Sequence, residues 1–344
     1  MRLSILVVSR TAALINRLCD SLDAACSLAP LEVEILCSWN GSEVEEAQIH
    51  NRSRYDFHIA RRVPYHFAGN MNGLAERAGG EVLMLANDDL ILDHGCVDAA
   101  LSVLKQQTEV SLVGAVLRDQ QGRLTHAGIN FDSRGSAYHL LDRLIPADRP
   151  EVTPTGPVAA VTGALQWIRR DDFQRIQLNE NYKVCGEDVE LCLDVQQTLG
   201  QQVWLSGESC AIHESESTRS TQEGQGGNSE DLTRLRARVR SFLSQATPAQ
   251  LQRFLQQQQW ESQQLREIVT HQLPELLARV HELEPLQAEV DRLRSIEEQI
   301  KDLEEELRGR VNDLEEELRA RDLVLMDLRE ERLRLKQRNE AVSR

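Results

Sequence analysis

The sequence predicts an α/β domain with a mixed, mostly parallel sheet covered by helices on both faces, followed by an α-helical coiled-coil tail. Three observations carry this expectation. Over residues 1–217, short apolar runs of strand length alternate with amphipathic stretches. A polar, glycine-rich stretch occupies 218–230, as a flexible linker would. Beyond it Leu, Glu, Gln and Arg dominate, and aromatic residues make up only 4% of the 344-residue chain, a composition of long helices.

Each element has its own signal. Residues 3–8 (Leu-Ser-Ile-Leu-Val-Val) read as a buried first strand, since the run is too short for a secretory leader. Ala12–Ala25 has helical spacing at Leu14, Leu18 and Leu22. Residues 32–37 form a second strand, 73–78 end a helix, and 81–86 form the next strand. A helix at 97–105 precedes a strand at 111–116, and 202–205 is strand-like again. Alternation of this kind predicts parallel pairing. Thr247-Pro248-Ala249-Gln250 is a helix start: a Thr cap, Pro in the first turn and Gln at the capping-box position. The Gln-rich stretch through Trp260 continues it, within a helical segment expected at 231–280. Pro274 and Pro285 are expected to interrupt the helical pattern beyond Trp260.

A coiled coil is expected over 281–344. Apolar residues fall at 286, 290, 293, 296, 300, 303, 307, 311, 314 and 318, and DLEEELR recurs at 302–308 and 313–319. Eleven residues over three turns is about 3.67 per turn, which predicts a straight or slightly right-handed supercoil. The other reading is a single charged helix held by Glu–Arg pairs, but such a helix has no need of Leu or Ile along one seam. The expected partner of 286–335 is a second copy, or another coiled-coil protein.

Charge excludes several functions. With 39 Lys+Arg against 55 Asp+Glu, the net charge is −16. That argues against nucleic-acid binding and against electrostatic docking on anionic lipid. The seven cysteines include no CxxC pair and several sit in apolar runs, as buried reduced thiols do. No stretch approaches 18 apolar residues, so no membrane span is expected. The expected location is the cytoplasm, including the inner face of the cell membrane.

Four features could carry chemistry. Asn87-Asp88-Asp89 ends a predicted buried strand, where open α/β sheets bind ligands. Oxygen donors there suit Mg²⁺ or Mn²⁺; the bland reading is a turn capping the next helix. Glu187-Asp188-Val189-Glu190 resembles an acidic first helical turn, which the helix dipole favours by itself. Alternatively it offers a carboxylate general base. His213 follows a strand, and a lone His is as readily structural. Asn70-Met71-Asn72-Gly73 precedes helical spacing, and its amides could hold a phosphate or simply cap.

Taken in order, these features resemble family 2 glycosyltransferases of the GT-A fold, most closely the bacterial rhamnosyltransferase-like members, over roughly residues 3–217. Ser4 to Thr11 resembles the family's opening strand and loop, and Trp39-Asn40-Gly41-Ser42 its second-strand motif. Phe67 to Leu74, then Gly80-Glu81, is similar to the segment leading into the metal motif, which Asn87-Asp88-Asp89 resembles. Thr125-His126-Ala127-Gly128 resembles a mid-domain element. Val161-Thr162-Gly163-Ala164, Ile168-Arg169-Arg170, Gly186 to Leu193 and His213-Glu214-Ser215 match the acceptor-side run.

The resemblance implies a metal-dependent, inverting glycosyltransferase. A nucleotide sugar would be the donor, and a hydroxyl of a bacterial glycan, glycolipid or protein the acceptor. Asp88, with Asp89 or Asn87, and His213 would hold Mn²⁺ or Mg²⁺ at the donor diphosphate. Asp188, with Glu187 beside it, would deprotonate the acceptor. Ser9, Asn40, Asn72 and Asn87 would lie near the nucleotide. Three positions depart from the family pattern: Trp39 where an Asp often reads the nucleobase, Ala86 where many members carry the first acidic residue, and Asp194 where Arg is frequent. The competing expectation is therefore a degenerate glycosyltransferase-like scaffold that multimerises through its coiled coil. A nucleotidyltransferase is disfavoured, because Ser9 to Ala13 contains no glycine for a phosphate loop.

Overall fold

A computed structural model describes residues 2–148, 155–214 and 228–342, with side chains to Arg332. Twelve strands are defined among them: β1 (Leu3–Ser9), β2 (Val33–Trp39), β3 (Asp56–Arg62), β4 (Val82–Asn87), β5 (Leu90–Leu92), β6 (Val110–Arg118), β7 (Leu124–His126), β8 (Ile129–Phe131), β9 (Ala137–His139), β10 (Gly156–Pro157), β11 (Leu165–Arg169) and β12 (Gln202–His213). The helices are α1 (Ala12–Ala25), α2 (Glu43–Glu46), α3 (Phe67–Ala75), α4 (Cys96–Gln106), α5 (Arg170–Ile176), α6 (Glu187–Gln197), α7 (Asn228–Gln245), α8 (Pro248–Glu267) and α9 (Leu273–Val342).

The main sheet runs β10-β12-β6-β11-β4-β1-β2-β3. β1, β2, β3 and β4 pair in parallel, as do β6 and β12, whereas β11 lies antiparallel between β4 and β6. The sheet is thus mixed and mostly parallel, as expected. All seven residues of β1 are buried, which explains why its sequence is apolar except at Ser4 and Ser9 rather than alternating. The face of α1 that meets the core is Ala12, Ile15, Leu18, Cys19 and Leu22; Leu14 lies beside it, half-buried. All seven cysteines are free thiols.

Register brings one edge together. β1 ends at Ser9 and β4 at Asn87, with Val8 opposite Asn87. β11 enters at that edge, where the Asn87 N–H donates to Ala164 O at 2.9 Å. β12 is far longer than the run at 202–205. It shifts register between Ser206 and Cys210 and continues until His213 faces Leu90 of β5. The polar bulge hides this extension from a hydrophobicity reading.

Two compact units are present, Met1–Arg266 and Glu267–Arg344. Residues 218–227 of the expected linker lie outside the described residues, and 228–230 already form the first turn of α7. The stretch expected as a separate helical segment at 231–280 is divided. α7 and α8 pack on the α/β domain through Leu235, Val239, Phe242 and Phe254. Phe254 meets Phe131 edge to face, with ring centres 6.2 Å apart. The Thr247 cap forms as expected: the Gln250 N–H donates to its hydroxyl, and its own N–H donates to the Gln250 side chain.

In the second unit a π-helical turn, Ile268–Gln272, interrupts the regular α-helical pattern directly before Pro274, whereas Pro285 makes no break. The Leu273 N–H reaches back to the Ile268 carbonyl in that wider turn, and Pro274 follows at once in the first turn of α9. Pro285 is inside the helix, and one absent bond to the His281 carbonyl is tolerated within 70 residues of continuous helix. The ten seam positions from Leu286 to Leu318 are all between 39% and 62% exposed.

Candidate active site

A cleft of about 590 Å³ opens at the carboxyl edge. Of the nine residues singled out from sequence, Ser9, Asn87, Asp88, Asp89, Glu187, Asp188 and His213 line it. Asn40 and Asn72 do not. Asn40 lies at a neighbouring groove beside Trp39 and Arg62, and its side chain donates to the Val63 carbonyl. Asn72 is buried and bridges to the Leu178 backbone in both directions at 2.9 Å, so its amide holds α3 to a loop. Trp39 packs into the core at 2% exposure, its ring stacked under Gly41, and its indole N–H has no partner.

Strand ends position the acidic group. Asp88 follows β4, and its carboxylate accepts the Ser9 hydroxyl at 2.7 Å. Burial pushes its carboxyl group up to about 6, Asp89 adds to this and the Ser9 bond opposes it. His213 reaches the same place from β12: its Nε2 lies 3.2 Å from Asp89 Oδ1 and 3.3 Å from the Asn87 amide nitrogen. One nitrogen cannot donate to the carboxylate and accept from the amide at once. Behind it, Glu214 anchors the strand end: its N–H donates to the Asp89 carbonyl at 3.3 Å, and its carboxylate takes both Arg17 Nη1 and Nη2 at 2.7 Å.

The second acidic group is the first turn of α6, and its carboxylates divide between two tasks. Glu190 is structural, accepting Asn179 at 2.9 Å and the Tyr182 hydroxyl at 2.5 Å. Asp188 faces the cleft. Its Oδ2 accepts the Gly163 N–H at 2.7 Å and its Oδ1 the Val189 N–H at 2.8 Å. These fix the carboxylate plane and leave a lone pair on each oxygen. Glycine is required at 163, because a Cβ there would lie 2.9 Å from the Asp188 Cβ.

Several cleft residues carry no mark of a role in the sequence. Arg10, Arg143 and Lys183 bring positive charge to the lining. His126 is fully buried, and burial, with His139 and His213 nearby, holds its ring well below the usual histidine range, so it is neutral. Its Nε2 accepts the Thr162 N–H at 3.3 Å, which supports the turn carrying Gly163. The Thr125–Gly128 element is visible in the sequence, but its task depends on a contact 36 residues away.

Among the described residues, no three His, Cys, Asp or Glu side chains gather into a ready metal cluster. The donor set still fits a cation. Asp89 Oδ1 and His213 Nε2 are separated by 3.2 Å, close to the ~3 Å edge between adjacent ligands of an octahedral ion bound at about 2.1 Å. The Asp89 carboxylate supplies the oxygen donor that Mn²⁺ or Mg²⁺ prefers, and the His213 imidazole stands beside it.

The chain has the GT-A fold of glycosyltransferases. Staphylococcus aureus TarS 1–349, solved with UDP-GlcNAc, superposes with a TM-score of 0.50 at 14% identity, over 78% of this chain and 73% of that one. Among curated proteins, the chain is 31% identical over 164 residues to the O-antigen biosynthesis protein RfbC of Myxococcus xanthus. It is 29% identical over 160 residues to the uncharacterized protein y4gI of Sinorhizobium fredii. Each match covers 45% of this chain, and the chain spans only 12% and 18% of those two relatives. No family model matches. No helix among the described residues is long and apolar enough to cross a membrane.

Proposed function

We propose that the chain is a metal-dependent, inverting glycosyltransferase of the family 2 type, moving a sugar from a nucleotide donor to a hydroxyl of a bacterial surface glycan, glycolipid or protein. The observation that carries this reading is the meeting of the Asp89–His213 pair and the fixed Asp188 carboxylate in one cleft. RfbC's name, an O-antigen biosynthesis protein, supports a polysaccharide acceptor. TarS solved with UDP-GlcNAc supports a nucleotide-sugar donor.

In this reading Asp188 takes the proton of the acceptor hydroxyl as its oxygen attacks the anomeric carbon, and a single displacement inverts that centre. Asp89 and His213, with Asn87 and Asp88 beside them, would hold Mn²⁺ or Mg²⁺, which would supply positive charge for the departing diphosphate. Arg10 and Arg143 add positive charge for the same leaving group. Ser9 keeps Asp88 oriented at the strand end. The exposed seam of α9 is one apolar stripe flanked by acids and arginines, so charges of both signs border it. It supports association with a second copy through 286–335.

The test is incubation with UDP-, GDP-, CMP- and dTDP-sugars and Mn²⁺. Release of the nucleotide from one of them is expected, as a diphosphate from UDP-, GDP- or dTDP-sugars and as CMP from CMP-sugars. One observation favours the scaffold alternative: Trp39 sits in the core, so it presents no polar group to a nucleobase. If no donor is turned over and calorimetry finds no nucleotide binding, the scaffold reading stands and the enzyme does not.

A further inference from the structure

We propose that α7, which comes after the α/β domain in the chain, is a positioning element of the cleft, and that its buried Asp231 sets the loop from which Glu187 and Asp188 project. Asp231 is 0% exposed. Its Oδ2 accepts three consecutive backbone N–H groups, from Lys183 at 2.9 Å, Val184 at 2.7 Å and Cys185 at 3.3 Å. Its Oδ1 meets Arg234 at 3.2 Å, and Arg234 donates onward to the Asn181 carbonyl at 2.8 Å and lies over the Tyr182 ring.

A buried carboxylate is expensive unless its oxygens are satisfied, and an apolar residue would pack a helix at lower cost. What the carboxylate achieves is direction. Three successive N–H groups aimed at one oxygen define the backbone of 183–185, and α6 begins two residues later. Gly186 makes the turn at φ +107°, where an added Cβ would strike Tyr182 at 2.8 Å and approach Leu235 of α7 at 3.3 Å. On the far side of the turn, Arg238 of α7 binds Asp194 of α6 at 2.6 Å. The loop is thus held from α7 before the acidic turn, and α6 is held from α7 after it. Lys183 and Val184 line the cleft, and Lys183 Nζ lies 3.5 Å from Glu230. The clamp therefore also sets where the loop's own side chains stand.

The role in turnover rests on the glycosyltransferase reading, but the clamp itself does not, so the two are measured separately. Hydrogen exchange of the full-length chain reads the amides of 183–185, and trypsin reads cleavage after Lys183. Asp231→Ala is expected to raise both rates, while amides of β1 and β4 keep theirs. Asp231→Asn retains one acceptor oxygen and should restore most of the protection. With the donor found in the panel, Asp231→Ala should lower kcat by roughly a hundredfold, the scale of an ångström-sized misplacement, with partial rescue by Asp231→Asn. Its affinity for UDP with Mn²⁺, by calorimetry, should change less than about twofold, since 183–185 lie on the Asp188 side. Unchanged exchange at 183–185 overturns the clamp. Faster exchange with unchanged kcat overturns its role in positioning. An unaltered chain that turns over no donor removes the enzyme reading alone, and exchange still decides the clamp. If the Ala variant does not fold, Asp231→Leu, which fills the buried site without an acceptor oxygen, carries the same comparison.

Discussion

The leucines of the α/β unit and those of the tail obey the same periodic rules and end in opposite states. Leu6, Leu18 and Leu22 are fully buried, whereas Leu303 and Leu307 are 56% and 62% exposed. The first unit folds its pattern onto itself, because strands and helices present several apolar faces that can meet. A single long helix has one stripe and nothing in its own unit to cover it. Burial of a Leu is worth about 1.5–3 kcal/mol, and ten seam positions left in water are where the proposed second copy would act.

The largest expected effect breaks the first unit while leaving the second intact. Asp188→Asn keeps shape and the Gly163 contact but removes the base. Turnover should fall by roughly 10² to 10⁴, with the assembly's mass by sedimentation unchanged. Retention of more than a tenth of the activity would remove Asp188 from its role. The converse experiment breaks the tail: Leu303→Glu with Leu307→Glu places charge in two adjacent seam positions. The chain should sediment as a monomer. All four tryptophans, at 39, 167, 204 and 260, belong to the first unit, and their fluorescence should report the same unfolding midpoint as before. An unchanged mass would mean that the seam does not hold a second copy.

The same contrast explains what is legible in the sequence. β1, β2 and β4 can be read because a buried parallel strand is apolar along its whole length, and that places the turn after β4 at the sheet edge. The exposed seam is equally plain, since nothing tertiary overrides a repeat. What escapes depends on contacts distant in sequence. Asn72 has the local signature of a phosphate-binding helix start, yet its amide bonds Leu178, 106 residues away. The extension of β12 to His213 passes through Ser206 to Ser209, polar residues that look like a loop and are a bulge. Asp231 lies in a stretch that reads as a solvated helix, because one acid among many carries no mark of burial. Pro285 has the signature of a break, although a long helix absorbs one missing bond.

The smallest effect tests whether acids in the two units differ as their burial does. Those of the tail are solvated, whereas Asp88 is buried and its carboxyl group is pushed up to about 6 from 3.8. In the unfolded chain Asp88 loses its proton near the ordinary value. Between these two points the folded state binds more protons than the unfolded one. Its contribution to stability therefore falls as pH rises from about 4 to 6 and stays low above that. The full difference is about 3 kcal/mol. In chelator-containing buffer, Asp88→Asn should thus stabilise the first unit by up to about that amount at pH 7.5 and by almost nothing near pH 4, read from urea midpoints by tryptophan fluorescence. Adding Mn²⁺ should raise the midpoint of the unaltered chain above pH 6, because a cation bound only by the folded state adds stability by mass action. A gap between variant and unaltered chain that stays constant across this range would mean that burial at the sheet edge does not raise the Asp88 carboxyl group.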